Sequence, residues 1–561
     1  MPNPPEDVPG PTPARRSAPT AWRQRGRLIR PAGYWWAAVA IALGVAAAII
    51  WPFPPAVAGT QYSSHLPLII APPKPLFLPF VSKDWPPPPV DLFVNRVELI
   101  QGITMSDGYT VHVASRPALL RAFVGLSGQP SQLGVTGRLT RHVGGVPYDS
   151  IDAGPITALP SPDEGALSQT LNFSLPAHWL TAGTSYVLQL DPNNAINELS
   201  DANNRYPPSG QQAFDFAVAP ALDVVIVPVR YARPGAPVSL PNTSDLSYLT
   251  WMPFKVYPVP AINYTVRGTA LNFTGDLRTT QGWIDLLNAV TTIHAVEDLV
   301  EHKTYYALVD SVAVDGCSGG CIAGIGWVNN PPPGGYGSKS AAGFAGFPSA
   351  PGEASPTFTH EMAHNFGRRH APCGTSSGLG PYPYGSGAPI GQWGYDPATS
   401  ALYHPSNFRD YMSYCSPEWT SDFTYRALYD AWAWVSTPYG SAGSATALQQ
   451  ALMVKGQVDE TGRVVIEATE ISTVPSALLQ SDGPYQVELL DRTGRVLHTQ
   501  SFDVVEIAID FAGPEGEGGH GEQRVAFRVA LPILQAAAAL RLTGPTGSAI
   551  EQDLPPETHT P

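Results

Sequence analysis

One short segment restricts the chain more than any other: His360-Glu361-Met362-Ala363-His364-Asn365-Phe366-Gly367-Arg368-Arg369-His370. Just upstream, Ser355-Pro356 reads as a helix start, with a serine cap followed by proline at the first helical position. On such a helix His360 and His364 stand on one face, about 6 Å apart along the axis. Two imidazoles at that spacing can reach a single metal ion. Glu361 sits beside the first of them but is offset around the helix, so its carboxylate can address a bound water without being a ligand. A straight helix cannot bring His370 to the same ion. Gly367 can, because glycine adopts the left-handed conformation that ends a helix and turns the chain back. Three neutral nitrogen donors leave a fourth position open, which separates a catalytic site from a structural one.

The extended motif resembles that of the metzincin zinc metallopeptidases, and Asp410-Tyr411-Met412-Ser413-Tyr414-Cys415 resembles the methionine turn of that family. The resemblance implies one catalytic zinc ion on His360, His364 and His370, with Glu361 as general base. It also implies Met412 as a hydrophobic floor under the imidazoles and Tyr414 as a residue that approaches the zinc or steadies the transition state. A packed core tyrosine is the competing reading of Tyr414. The tract from Arg368 through Trp393-Gly394-Tyr395-Asp396 is most similar to gametolysin-like and secreted mucin-cleaving bacterial metallopeptidases. In such enzymes zinc lowers the pKa of its water and the glutamate carries the proton to the departing amine. An antiparallel edge strand for extended substrate is a further family expectation. Ala341-Ala342-Gly343-Phe344-Ala345-Gly346 is the candidate, with a flexible glycine loop as its alternative. The sequence leaves open whether calcium also binds.

The N-terminus bears on location. Arg15, Arg16, Arg23, Arg25, Arg27 and Arg30 precede an uncharged apolar run of roughly 18 residues, enough for one membrane-crossing helix. Basic residues on its leading side would keep that side in the cytoplasm and export the remainder of the chain. Cleavage after Ala56-Val57-Ala58 would give a secreted protein; otherwise the run anchors the chain in the membrane. Four cysteines suit an oxidising compartment. Cys317 and Cys321 could close a local loop, and Cys373 and Cys415 would then pair, stapling the loop after His370 to the methionine turn. A cysteine metal site is the rival, but the spacing matches no zinc-ribbon pattern. A net charge of -14 argues against nucleic acid as a partner.

With 561 residues the chain exceeds one ordinary core, and its 60 prolines and 53 glycines favour strands and loops. The expected organisation is multidomain. A basic leader spans 1–33, the transmembrane or signal helix 34–53 and a proline-rich linker 54–90. A β-sandwich occupies 91–218, an α+β metzincin-like catalytic domain 219–440, a second β-sandwich 445–554 and a tail 555–561. The stretch from Tyr186 to Glu198 and on to Asn203-Asn204 resembles the end of bacterial adhesion-related, immunoglobulin-like domains. In the catalytic part Val224 to Val229 reads as a buried strand. Trp283, Leu286, Leu287, Val290 and Ile293 recur at helical spacing, and so do Phe423, Ala427, Leu428, Ala431 and Trp434.

The function expected is an extracellular zinc endopeptidase acting on proteins or glycoproteins, with the membrane as a partner only if the apolar run is retained. Two alternatives carry different predictions. A zinc-dependent cell-wall amide hydrolase would cleave sacculi and not casein. An adhesin or scaffold with a secondary metal domain would have no chemical need for Glu361.

Overall fold

The computed structural model describes residues 89–105, 112–233, 237–299, 303–310, 321–329, 338–346, 354–435, 447–511 and 520–555, apart from the side chains at 433–435 and 520. The leader, the apolar run, nearly all of the linker, Cys317 and most of the tail lie outside these residues. Among the described residues no helix is long and apolar enough to cross a membrane.

Residues 90–217 form two antiparallel sheets around one core. Asp91–Ile100 pairs with Ala118–Ser127, which pairs with Leu171–Leu175. Gln132–Val143 lies between Val146–Ala158 and Thr184–Leu190. Leu92, Leu120, Val124, Leu139, Phe173 and Leu188 from both sheets meet inside. The Glu198 carboxylate fastens the end of this unit, accepting from the Leu92 amide and from Asn204 Nδ2, each at 2.8 Å. The unit abuts the next region of the chain. Arg116 donates to the carbonyls of Val259 and Lys255, and Trp419 Nε1 donates to Gly102 O at 2.7 Å.

The second region is built on a ten-stranded sheet. Its strands are β1 (Leu222–Tyr231), β2 (Ile262–Val266), β3 (Thr304–Val309), β4 (Ile322–Val328), β5 (Ser340–Phe344), β6 (Leu448–Val458), β7 (Val464–Pro475), β8 (Val505–Phe511) and β9 (His520–Leu531). Leu271–Phe273 pairs beside β1 as the tenth. The order is β2-β1-β3-β5-β4-β8-β9-β6-β7. The first four of these are parallel; β4 turns antiparallel to β5, and every pair beyond is antiparallel.

Helices cover both faces, and strand alternation decides which residue meets which helix. Val225, Val227 and Val229 of β1 pack with Trp283, Leu286, Leu287 and Val290 of α1 (Thr280–Glu297). Their neighbours Val224 and Ile226 face the other way. They pack with Phe358 and Met362 of α2 (Ala354–His364) and with Leu428 and Trp432 of α3 (Asp422–Val435).

Three findings differ from the sequence-based expectations. First, α2 begins at Ala354, so Ser355 is not its cap; the buried Ser355 hydroxyl accepts from the Met252 amide at 3.0 Å and ties the helix to a neighbouring segment. Second, Ser340–Phe344 (β5) is flanked by β3 on one side and β4 on the other, so it is an interior strand and offers no free edge to a substrate. Third, the segment from 445 onward does not fold as a sandwich apart. Tyr485–Leu490, Val496–Phe502, Ala539–Thr543 and Ala549–Asp553 form a separate sheet that shares a core with β6 and β9, but β6, β7, β8 and β9 are the continuation of the catalytic sheet. The physical reason is the unused edge of β4: its exposed amides and carbonyls demand a partner, and β8 supplies one over Ile322 to Val328.

Candidate metal centre

The helix α2 carries His360 and His364, both buried, one turn apart with ring centroids 4.8 Å from each other. Beyond it Gly367 takes φ +78°, the left-handed turn that the sequence demanded. The Gly367 amide donates to His364 O at 2.9 Å and the Arg368 amide to Ala363 O at 3.1 Å, which is the paired bonding of a Schellman helix end. The chain reverses there and brings His370 to 4.9 Å from His364 and 5.3 Å from His360, between ring centroids. Asn365, to which the sequence assigned no role, locks the helix end onto the sheet, its Nδ2 donating to Trp327 O in β4 and Ser340 O in β5, each at 3.0 Å.

Each imidazole is oriented by a backbone carbonyl. His360 Nδ1 donates to Tyr411 O at 2.8 Å, His364 Nδ1 to Arg368 O at 2.5 Å and His370 Nδ1 to Ser377 O at 3.0 Å. A carbonyl only accepts, so Nδ1 carries a proton on each ring and Nε2 faces inward. The Nε2 atoms of His360 and His364 make no hydrogen bond although buried. Burial pushes the pKa of both imidazoles down, for His364 well down, against the opposing pull of Asp510.

The turn at Asp410–Cys415 lies against the loop that follows His370. Met412 is fully buried in the core that also holds Phe358 and Met362. Asp410 shapes the turn by accepting from the Met412 amide at 2.9 Å and from Ser421. The Ala371 amide donates to Met412 O at 2.8 Å and the Tyr414 amide to Cys373 O at 3.0 Å. A disulfide joins Cys373 to Cys415, with Cα atoms 5.7 Å apart, across the same two segments. Cys321 is also disulfide-bonded, and no cysteine among the described residues is free.

Glu361 lies against β4. A Cβ on Gly324 would fall 2.2 Å from Glu361 Oε1, and one on Gly326 would fall 2.9 Å from Glu361 O, so both glycines are what lets the helix approach this closely. Both Glu361 oxygens are buried, and Asp510 is the group they interact with. Burial, with the negative charge of Asp510 added, pushes its carboxyl well above the usual range.

Asp510, on β8, is the residue that the sequence did not reveal. Its carboxylate lies 3.2 Å from His360 Nε2 and 3.3 Å from His370 Nε2, and it accepts a hydrogen bond from the Tyr414 hydroxyl. Tyr414 Oη is also 3.0 Å from His370 Nε2, so the tyrosine does stand at the centre. Burial and then Asp510 hold its phenol well above the ordinary value, leaving it a proton donor. Burial alone would raise Asp510, but the surrounding imidazoles outweigh it and hold the carboxyl well below the usual range. For His370 burial lowers, yet Asp510 prevails and raises it. The only signal in the sequence was the period-2 pattern of Val505-Glu506-Ile507-Ala508-Ile509-Asp510-Phe511, in which acidic residues mark one face of an otherwise apolar strand.

His360, His364, His370 and Asp510 present ligand atoms within 4.8 Å of one another, all buried. Inward-facing Nε2 atoms, a carboxylate kept ionised among imidazoles and a nitrogen-rich donor set fit a divalent transition metal such as zinc. Residues 325–421, from β4 through the turn at Met412, match the Peptidase M66 family, which supports a metallopeptidase here. No curated protein sequence matches it. Among solved structures, metalloproteinase-II from Bacteroides fragilis is similar over 50% of this chain and 82% of its own, at 12% identity and a TM-score of 0.20, too slight a likeness to argue from.

Proposed function

We propose that the chain is a zinc-dependent endopeptidase of metzincin type, with His360, His364 and His370 as metal ligands and Glu361 as general base. The observation that carries the reading is the convergence of three Nε2 atoms whose rings are each held by a backbone carbonyl. Zinc bound there would supply a Lewis acid that polarises the scissile carbonyl and acidifies water. Glu361, desolvated, takes the proton from the attacking water and delivers it to the departing amine nitrogen. Tyr414, protonated and beside His370, donates a hydrogen bond to the oxygen on which charge develops. Met412 packs beneath the rings and keeps them from tilting.

Protein is the substrate class that the family implies. An exported location, secreted or held by the N-terminal apolar run, is supported by the Cys373–Cys415 bridge, since such bonds persist in oxidising compartments. The residues 90–217 are an immunoglobulin-like spacer in this reading.

The test is Glu361→Gln in the full chain, with metal content measured beside casein hydrolysis. About one transition-metal ion should remain bound while hydrolysis falls by about 10^2 to 10^4-fold. Unchanged hydrolysis, or a wild-type chain that binds no transition metal, would overturn the assignment.

A further inference from the structure

Resting on that endopeptidase reading, we propose that β8 is a built-in pseudo-substrate: it occupies the groove along β4 that an extended peptide would take, and its Asp510 fills the open corner of the metal centre.

Glu361 packs over β4 on the face that carries Gly324 and Gly326, and it interacts with Asp510 of the strand paired to the edge of β4 facing away from β5. An extended peptide reaching Glu361 by adding a strand to the sheet must run along this edge, where main-chain pairing holds it without regard to side chain. In the folded chain β8 already does so, antiparallel, from Ile322 opposite Phe511 to Val328 opposite Glu506. Alternation then sorts its residues. Ile507 and Ile509 are buried with Trp283, Ile325 and Trp327 on the α1 face. Glu506, Ala508 and Asp510 fall on the α2 face, and Asp510 is aimed at the three imidazoles. With the three imidazoles, Asp510 would offer a fourth donor to a metal held there, in the place that an activating water would otherwise take.

Two further contacts fit the hairpin β8–β9 to the centre. Gly521 of β9 stands across from Asp510. A Cβ there would lie 2.5 Å from Tyr414 Oη and 2.6 Å from His370 Cε1, so glycine is what allows the hairpin to close. Glu506 is ion-paired with Arg369, which sits between the second and third histidines. The hairpin is therefore shaped to the site at Glu506, Asp510 and Gly521 together. The folded chain is latent, and it opens when the hairpin lifts and yields the β4 edge to substrate.

The test replaces the native metal with cobalt(II) in the full chain and compares wild type with Asp510→Asn and Gly521→Val. The second variant keeps every ligand and wedges a side chain between the hairpin and the pair Tyr414 and His370. Expected are altered visible spectra in both variants and an apparent affinity for acetohydroxamate about tenfold or more above wild type, because the open state is no longer the minor one. Casein hydrolysis should rise in Gly521→Val. Spectra and hydroxamate affinity identical to wild type in both variants would overturn the proposal. So would loss of cobalt from Asp510→Asn without any gain in Gly521→Val, which would make Asp510 a permanent ligand. Spectra that respond while no variant cleaves casein would support the lodged strand and overturn the peptidase reading. Unchanged spectra with hydrolysis by wild type would do the reverse.

Discussion

The metal centre has two walls of different origin. One is near in sequence: the helix α2, the turn at Gly367, His370 and the methionine turn, with His360 and Tyr411 only 51 positions apart. The other is remote: Asp510 reaches Tyr414 across 96 positions, carried there by the pairing of β8 with β4. The near wall is fixed by helix geometry and by carbonyls that aim each imidazole. The remote wall is fixed by register, since a slip of one residue in β8 would turn Asp510 to the α1 face and bring Ile509 to the imidazoles. A site can thus take most of its groups from a motif and the last from an edge that needed a partner.

The largest effect that separates the walls should come from Ile509→Ala. Deleting that buried side chain is expected to cost about 2–5 kcal/mol. Amide exchange should quicken in β8 and β9 and not in α2; equal quickening in both would show that the two walls open as one unit. Replacing Cys373 and Cys415 with serine attacks the near wall instead. The expected loss is about 2–4 kcal/mol in chemical denaturation, with metal released more readily on chelation. A variant as stable as wild type would remove the bridge from the account. At Gly367, φ +78° makes an alanine strained by about 1–2 kcal/mol. Its thermal midpoint should fall, and metal retention should fall with it because His370 is displaced.

The smallest effect is one of pH. In the metal-free chain His364 is held well below its ordinary pKa by burial, so the folded form declines a proton that the unfolded form accepts. Its share of stability is present above about pH 6.5 and is lost on acidification through that value. Going from about pH 7.5 to about 5.5 should cost wild type about 1 kcal/mol more than His364→Gln in urea unfolding. An equal loss in both would place the acid sensitivity elsewhere.

The motif was legible because its meaning is local. Spacing of four on a helix, a glycine where the chain must reverse and a methionine turn are each settled by backbone geometry within a few residues. The helical periods of α1 and α3 and the buried strand β1 were readable for the same reason. The interior position of Ser340–Phe344 was not. A run of small apolar residues reads the same at an edge as between two strands, and only its pairing with β3 on one side and β4 on the other shows which it is.

The sequence by itself determined the chemistry that can occur here: three imidazoles, a carboxylate beside them and a glycine break that unites them. Only the tertiary structure decided what faces that chemistry. Whether the segment after 445 closed on itself or joined the edge of β4 depended on which surface had backbone groups left to satisfy, and that is a property of the assembled sheet rather than of any stretch of residues. The same pairing brought Asp510 to the histidines, where the balance of charge is set by four groups that have no proximity until the chain is folded.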